Sequence, residues 1–413
     1  MAFIKPFRAL RPPKELAEKV AALPYDVMSV EEARRMAAGN PASFLHVSRP
    51  EIDLPAEIDP HDEPVYVQGK ENLAEFIRRG ILVQDERECF YVYRQRMGEI
   101  TQTGLVVCTG VDDYQSGVIK KHELTRADKE DDRVKHIDYL DANDEPVFYL
   151  SRSSAEIEAI IADIAAAPPE YDFTTDDGVS HTLWIVADRT QIDRLIALFA
   201  AVPRLYVADG HHRSAAAGRV RELRREKNPE HTGREEYNTF LTVIFPESQL
   251  NIMPYNRAVK DLNGQSPAEF TARIEESFKV LPSPVPVVPC ERHQFGMYLN
   301  GHWYQLHARD AIVDETDTVG RLDVSILQSR LLEPALGIGN PRTDKRIHFV
   351  GGIRGNEELV KLVDSGEYAV AFSLYPTSIG ELIELADQDR IMPPKSTWFE
   401  PKLRSGLFVH LLS

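Results

Sequence analysis

Four ionisable side chains lie within five residues, Asp209, His211, His212 and Arg213, around a single glycine, Gly210. Asp209 closes an apolar run, Leu205-Tyr206-Val207-Ala208, that suits a buried strand, and residues 214–226 are rich in Ala and Arg and suit a helix. Gly210 permits the turn between them that other residues resist. The chemistry therefore sits at a helix N-terminus, where the first backbone N–H groups lack partners and the dipole is positive, so that a phosphate or carboxylate is stabilised. Arg213 adds a planar, bidentate cation, and Asp209 can hold a metal ion or take a proton. Ala216, Val220 and Leu223 fall at helical spacing, and His212, four residues before Ala216, is expected to point inward with them. His211 and Arg213 then flank it, and one of the two faces the ligand space. A helix that is merely capped, with Asp209 bonding free N–H groups, explains part of this polarity, but four ionisable groups are more than a cap needs.

Three further segments carry polar chemistry. Lys120-Lys121-His122-Glu123-Leu124-Thr125 ends a strand-like run, and residues 128–141 read as a helix. His122 or Glu123 can deprotonate a hydroxyl or bind a metal, and Lys129 and Arg133, four apart on one helix face, can hold an anion. Glu130 to Asp132 read instead as a solvated face, with Asp128 as the helix cap. In the loop 392–402, prolines stiffen a segment that presents Lys395, Ser396, Thr397 and Lys402 beside Trp398 and Phe399, a possible phosphate clamp. Its Lys-Ser-Thr lacks the upstream glycines of a P-loop. Arg257 follows a strand and can reach the same pocket, although a lone loop arginine is usually a surface group. The pair Gly351-Gly352 suits a close approach of backbone to ligand, or an ordinary turn. No His-Glu-x-x-His, Gly-x-Ser-x-Gly or Cys-x-x-Cys arrangement occurs.

The elements that must position these groups alternate. A capping box, Ser29 with Glu32, opens a helix over 30–38; residues 44–47 are strand-like; 69–79 form a helix, followed by strands at 89–95 and 103–109. A helix at 153–166, a strand at 181–187, a helix at 191–201 and a strand at 239–245 surround the central turn, which favours a layered αβ core. The Pro-rich stretch 281–289 is the clearest joint. Beyond it come a hairpin at 296–306 turning at Asn300-Gly301, a helix at 323–332 and a final αβ portion from 347. Three regions are expected: 1–150, contributing to the site; 151–280, the core with the central turn; and 290–413, with the Pro-Pro-Lys-Ser-Thr loop. With 413 residues the chain buries a large core. Its net charge of −17, from 65 acids against 48 bases, disfavours a nucleic-acid partner but allows a small positive pocket for a compact anion. No apolar run is long enough to cross a bilayer and residues 1–14 are not a secretory signal, so no membrane partner and a cytoplasmic location are expected. Cys89, Cys108 and Cys290 are too few and too scattered for a disulfide framework or a thiolate site, which leaves packing. Nothing in one chain fixes the oligomeric state.

The run Asp209-Gly210-His211-His212-Arg213 resembles the central motif of the ParB and sulfiredoxin-like superfamily, in the wording of its free L-serine kinase branch. Over nearly the whole chain the likeness is to the family labelled domain of unknown function 1015, through Pro24-Tyr25-Asp26-Val27, His122-Glu123 with Thr125, Asp132-Arg133, the central motif, and Pro393-Pro394-Lys395-Ser396-Thr397 with Pro401-Lys402. Asn256 departs from the family pattern, where His is expected, and no role is carried to it. The resemblance implies an α+β fold with a ParB/sulfiredoxin-like core and additional mixed αβ segments. It implies a small-molecule phosphotransferase, a free L-serine kinase forming O-phosphoserine from ATP, ADP or pyrophosphate with Mg2+. Asp209 is then the base or the magnesium-associated carboxylate, with Glu123 or His211 as the alternative base. Gly210, His212, Arg213, His122, Arg133, Arg257, Lys395, Ser396, Thr397 and Lys402 would bind phosphate or substrate. Two other readings stay open: a ParB-like nucleotide-binding regulatory module, and a phosphoester hydrolase with water as acceptor.

Overall fold

The computed structural model describes residues 1–413 and divides them into two compact units, one of residues 1–121, 125–250 and 401–413, the other of residues 122–124 and 251–400. The first unit contains, in chain order, β1 (Ile4–Lys5), α1 (Val30–Ala37), α2 (Glu63–Arg78), β2 (Phe90–Met97), β3 (Ile100–Gly110), β4 (Ile119–Lys120), α3 (Ala127–Leu140), β5 (Val147–Ser151), α4 (Ala155–Ile164), β6 (Tyr171–Thr174), β7 (Ser180–Val186), α5 (Arg189–Phe199), β8 (Leu205–Asp209), α6 (His211–Lys227) and β9 (Thr239–Pro246). Its nine-stranded mixed sheet runs β4-β8-β5-β9-β3-β2-β7-β6, with β1 added beside β3. β8 pairs parallel with β4 and antiparallel with β5, and β9 pairs parallel with β5. The fold is thus mixed α/β.

Ile157, Ile160, Ile161 and Ile164 of α4 recur at helical spacing and pack, with Ile192, Leu195 and Phe199 of α5, against Phe90, Val92, Leu105, Val107 and Trp184 of the sheet. Ala216 and Val220 of α6 meet Val134 and Ile137 of α3 and Tyr237 in another cluster. α1 begins at Ser29 with both bonds of the expected capping box. The apolar stretch 44–47, expected as a strand, is instead the short helix Leu45–Ser48: Phe44, Leu45 and Val47 are all buried, and so short a run carries no periodicity to separate the two states.

The second unit holds β10 (Asn251–Met253), β11 (Tyr255–Val259), α7 (Pro267–Ile274), β12 (Phe278–Ser283), β13 (Gln294–Leu299), β14 (His302–Ala308), α8 (Asp323–Leu327), β15 (Ile347–Gly351), α9 (Gly355–Asp364), β16 (Val370–Leu374), α10 (Ile379–Asp387) and β17 (Trp398–Glu400). Its six-stranded sheet, β12-β14-β13-β16-β11-β15, is antiparallel throughout, and β10 pairs separately with β17. The β13–β14 hairpin turns at Asn300 and Gly301 with φ of 49° and 80°, as two-residue turns of this kind require. The stretch 281–289 is not a joint between units: β12, which includes its first residues, pairs along its length with β14, and the whole stretch lies inside the second unit. The helix expected over 323–332 is α8 followed by a π-helical turn at Gln328–Leu332. The three consecutive regions read from sequence are therefore redistributed over two units, because the chain leaves the first unit after residue 250 and returns to it at 401. No helix is long and apolar enough to cross a membrane. All three cysteines are free, and Cys290 is exposed rather than packed.

Candidate functional site

The central motif spans the end of β8, one turn residue and the start of α6. Leu205 to Ala208 are buried, and the register of β8 against β5 shifts between Val207 and Asp209, a bulge that re-aims the last side chain of the strand. Gly210 takes φ 93° and ψ 33°, a left-handed conformation costly to any side chain, and is the N-cap of α6. The Arg213 side chain folds back over it: a Cβ at residue 210 would lie 3.1 Å from Arg213 Nε and 3.2 Å from its Cζ and Nη2. Ser214 Oγ lies 2.9 Å from the Tyr149 hydroxyl, which pins the first turn of α6 to β5.

Asp209 is held from three sides. Its Oδ1 accepts the Gly210 N–H at 3.0 Å, its Oδ2 accepts Lys402 Nζ at 3.1 Å, and the Arg213 guanidinium stands 3.7 Å from Oδ2. Burial alone would push this carboxyl up, but Lys402 and Arg213 overcome it and hold Asp209 well below the usual carboxylate range. Lys402 is set in place by two buried glutamines of the sheet, since Gln95 Nε2 donates to the Lys402 carbonyl at 2.7 Å and Gln102 Nε2 to the Pro401 carbonyl at 3.0 Å. Arg213 Nη1 donates to the Pro146 carbonyl at 2.6 Å.

The inward residue of the motif is not His212. His211 and Arg213 are each 7 % exposed, whereas His212 is half-buried and its Nε2 accepts the Arg126 N–H at 3.1 Å. The stripe that suggested otherwise is incomplete, because Leu223 is exposed. Asp132, expected on a solvated face, is buried: it takes Arg133 Nε and Nη2 at 2.9 and 2.8 Å, the Tyr66 hydroxyl at 2.8 Å and His61 Nδ1 at 3.0 Å. Arg133 is thereby committed to a neighbour and to the face of Tyr25, whose ring centre lies 3.9 Å from its Cζ, rather than sharing an anion with Lys129. The N-cap of α3 is Arg126, without a side-chain cap; Asp128 pairs with Arg126 instead.

Two carboxyls that the sequence did not single out complete the first unit's cluster. Asp144 pairs with His136 Nε2 at 3.0 Å. Glu145, 4 % exposed, accepts the Tyr25 N–H and the Ser405 hydroxyl, both at 3.0 Å, through Oε1, while its buried Oε2 has no hydrogen-bond partner. Burial raises Glu145 to about 7, against the pull of Arg213 and with a push from Asp144. A cavity of about 10 Å³, room for one water, is walled by Glu145, Asp144, Arg213, Arg133 and His136. The signal in the sequence was an acidic pair, Asp144-Glu145, separated only by Pro146 from the apolar run of β5.

The first unit therefore brings together Tyr25, Arg133, Glu145, Asp209, Arg213 and Lys402, residues from four of the motif segments. His122, Glu123, Arg257, Lys395, Ser396 and Thr397 belong to the second unit. There, His122 is buried, its carbonyl accepts the Met392 N–H at 2.8 Å and its Nε2 lies 3.3 Å from Thr397 Oγ1; Glu123 is half-buried. Arg257 is not a surface group: it is 3 % exposed, donates to the Tyr255 carbonyl and, at 2.9 Å, to the Lys395 carbonyl, and lies 5.0 Å from the Phe349 ring centre. Burial without a carboxylate lowers it to about 10. It anchors the loop at Lys395, which is exposed and takes φ 60°. Ser396 is buried and its hydroxyl donates to the Pro393 carbonyl at 2.7 Å. Gly351 and Gly352 serve packing, since a Cβ at 351 would lie 2.7 Å from the Trp398 ring and one at 352 a similar distance from the Pro254 carbonyl.

A Mg2+ held by protein side chains alone does not fit these residues. Both Asp209 carboxylate oxygens accept hydrogen bonds, Lys402 and Arg213 stand beside them, and no group of three or more His, Cys, Asp or Glu side chains is arranged to cage a metal. What the arrangement offers is an ionised carboxylate beside two fixed cations at the start of a 17-residue helix that has no acidic residue in its first turn.

A family model described as "Protein of unknown function (DUF1015)" matches residues 4–325. No curated protein matches the chain. Among solved structures, the chain is similar to a free serine kinase in complex with AMP (13 % identity, TM-score 0.37, covering 74 % of this chain and 91 % of that one). It is similar also to a conserved hypothetical protein from Pyrococcus furiosus (13 % identity, TM-score 0.35, 75 % and 95 %) and to SbnI with a C-terminal truncation from Staphylococcus aureus (12 % identity, TM-score 0.40, 74 % and 87 %).

Proposed function

The chain belongs to the DUF1015 family, proteins of unknown function, and we propose that it is a small-molecule phosphotransferase, a free L-serine kinase that forms O-phosphoserine from ATP, ADP or pyrophosphate. The observation that carries this reading is the Asp209 turn: a carboxylate kept ionised by Lys402 and Arg213, at the positive end of a long helix. Its wording, shared with the free L-serine kinase branch of the ParB and sulfiredoxin-like superfamily, supports the choice of acceptor and a ParB-like core.

Phosphoryl transfer asks a protein for alignment and charge neutralisation more than for covalent chemistry. The backbone N–H groups of the first turn of α6, with Arg213 and Lys402, would bind the transferring group. The serine hydroxyl oxygen forms the new O–P bond as the bridging P–O bond of the donor breaks, and the leaving oxygen carries the electron pair away. The hydroxyl proton passes to a basic side chain. Asp209, ionised throughout the neutral range, suits orientation of the hydroxyl and late acceptance of its proton; Glu123 and His211 are the alternatives. No step is assigned to a metal held by Asp209. His122, Arg257, Lys395 and Thr397 enter as second-unit candidates for substrate or donor binding.

Phosphorus NMR of the protein with Mg2+, L-serine and each donor in turn is the test. Phosphoserine supports the proposal. Free phosphate without phosphoserine identifies a hydrolase, and binding without reaction a regulatory module. Asp209→Asn is expected to abolish turnover while the circular dichroism spectrum is retained; undiminished turnover in that variant excludes the role of Asp209.

A further inference from the structure

Glu145 occupies a position that no packing or hydrogen-bond requirement explains in full. Its Oε1 ties together two segments, the Tyr25 backbone and the Ser405 hydroxyl, yet its Oε2 is buried and unpartnered at the wall of a cavity large enough for one water. The charged and titratable groups facing it come from every neighbouring element: Arg213 from α6, Arg133 and His136 from α3, its own neighbour Asp144, and Tyr25 and Asp26 from the turn at Tyr25–Val27. Around it, Arg133 pairs with Asp132, His136 with Asp144, and Lys402 and Arg213 with Asp209. Each of those carboxyls has a basic partner of its own, whereas an ionised Glu145 would add a buried negative charge with no ion-pair partner, on a cavity wall it shares with Arg213, which is already engaged by Asp209.

We propose that Glu145 is a positioning residue that acts through Arg213: as the neutral acid it leaves the guanidinium's charge available to a phosphoryl dianion, and as the carboxylate it claims that charge for itself. The proton leaves to, and returns from, water at the adjoining cavity, so no other reactant is needed. The direction in which burial moves this carboxyl places the change of state near neutral pH. The consequence is an anion site that strengthens as pH falls through about 7, independently of the ionisation of the ligand. The inference rests on the phosphotransfer reading for its purpose, but not for its test.

Sulfate is the probe, because it remains a dianion from about pH 6 to about pH 8 and reports only the protein's titration. Calorimetric binding to the full chain is expected to weaken about tenfold between those pH values. The E145Q variant should keep the low-pH affinity at both. In wild-type protein labelled with 13C at the glutamate carboxyls, the resonance missing from E145Q should titrate near 7. The same pH slope in E145Q as in wild type, a Glu145 carboxyl titrating in the ordinary range near 4, or no sulfate binding at either pH overturns the proposal. The NMR titration needs only folded wild-type protein once the resonance is assigned, and a second variant, E145D, assigns it should E145Q not fold. Failure to form phosphoserine with the sulfate results as expected overturns the phosphotransfer reading alone.

Discussion

Replacing Lys402 by Met removes the cation that does most to keep Asp209 ionised while preserving most of the apolar stem. The two residues are 193 positions apart and meet at 3.1 Å, with side chains 9 % and 26 % exposed. Breaking a fully buried pair costs about 3–5 kcal/mol and losing an exposed one about 0–1 kcal/mol. Partial exposure of Asp209 and the remaining Arg213 at 3.7 Å place this case between them, at ~2 kcal/mol. A loss of that size lowers the melting temperature of a unit of this size by ~4 °C. The sign of the pH dependence is fixed by the direction of the shift. Asp209 is depressed, so the stability it contributes is present above the ordinary aspartate value of about 3.9 and fades as pH falls through the folded value. The gap between wild type and Lys402→Met should therefore be full at neutral pH and narrow below about pH 4. Thermal melts across that range, combined with a double-mutant cycle against Asp209→Asn, measure both effects, and the cycle should show ~1–2 kcal/mol of coupling. A gap that stays constant into acid, or an additive cycle, would mean that Lys402 stabilises through its packed stem and that the ion pair contributes nothing.

Gly210→Ala should destabilise by ~1–2 kcal/mol through its left-handed φ and, by driving Arg213 off the turn, weaken sulfate binding as well; unchanged sulfate affinity would show that Arg213 does not serve the anion site from that position. Arg257→Lys should release the Lys395 carbonyl, since an ammonium cannot hold two carbonyls with a planar fork, and trypsin should then cut after Lys395 several-fold faster; an unchanged rate would remove Arg257 as the anchor of the loop.

The central strand, turn and helix were legible because three local signals agree there: an apolar β-prone run, a glycine where φ must be positive, and an Ala-rich segment after it. The capping box at Ser29 and the hairpin at Asn300-Gly301 were legible for the same reason, each being complete within a few residues. His212 and Asp132 were misplaced because helical spacing ranks faces only where apolar residues mark the buried side. In α6 and α3 that side is instead lined in part by Arg213, Arg221, Arg133 and His136, buried with polar partners that helical spacing does not reveal. Arg257 reads as a surface residue by type, and only its two carbonyl acceptors explain its burial. The division into units was hidden because residues 401–413 rejoin the first sheet's unit after an intervening unit of about 150 residues, a return that leaves no trace in composition.

The two carboxyls of the first unit are separated by environment, not by type. Asp209, partly exposed, lies against Lys402 and Arg213 and is driven down; Glu145 is buried deeper, its Oε2 has no donor, and burial with Asp144 beside it drives it up. Arg213 pairs with Asp209 and shares a cavity wall with Glu145. At neutral pH one carboxylate is therefore permanently charged, as a group that orients a hydroxyl must be, and the other is close to its midpoint, as a group that sets the charge of an anion site must be. Had both been paired alike, the cluster would be a rigid ion network with no range of pH in which its demand for an anion changes. The unequal partnering of two acids around one arginine is what distinguishes this turn from a capped helix.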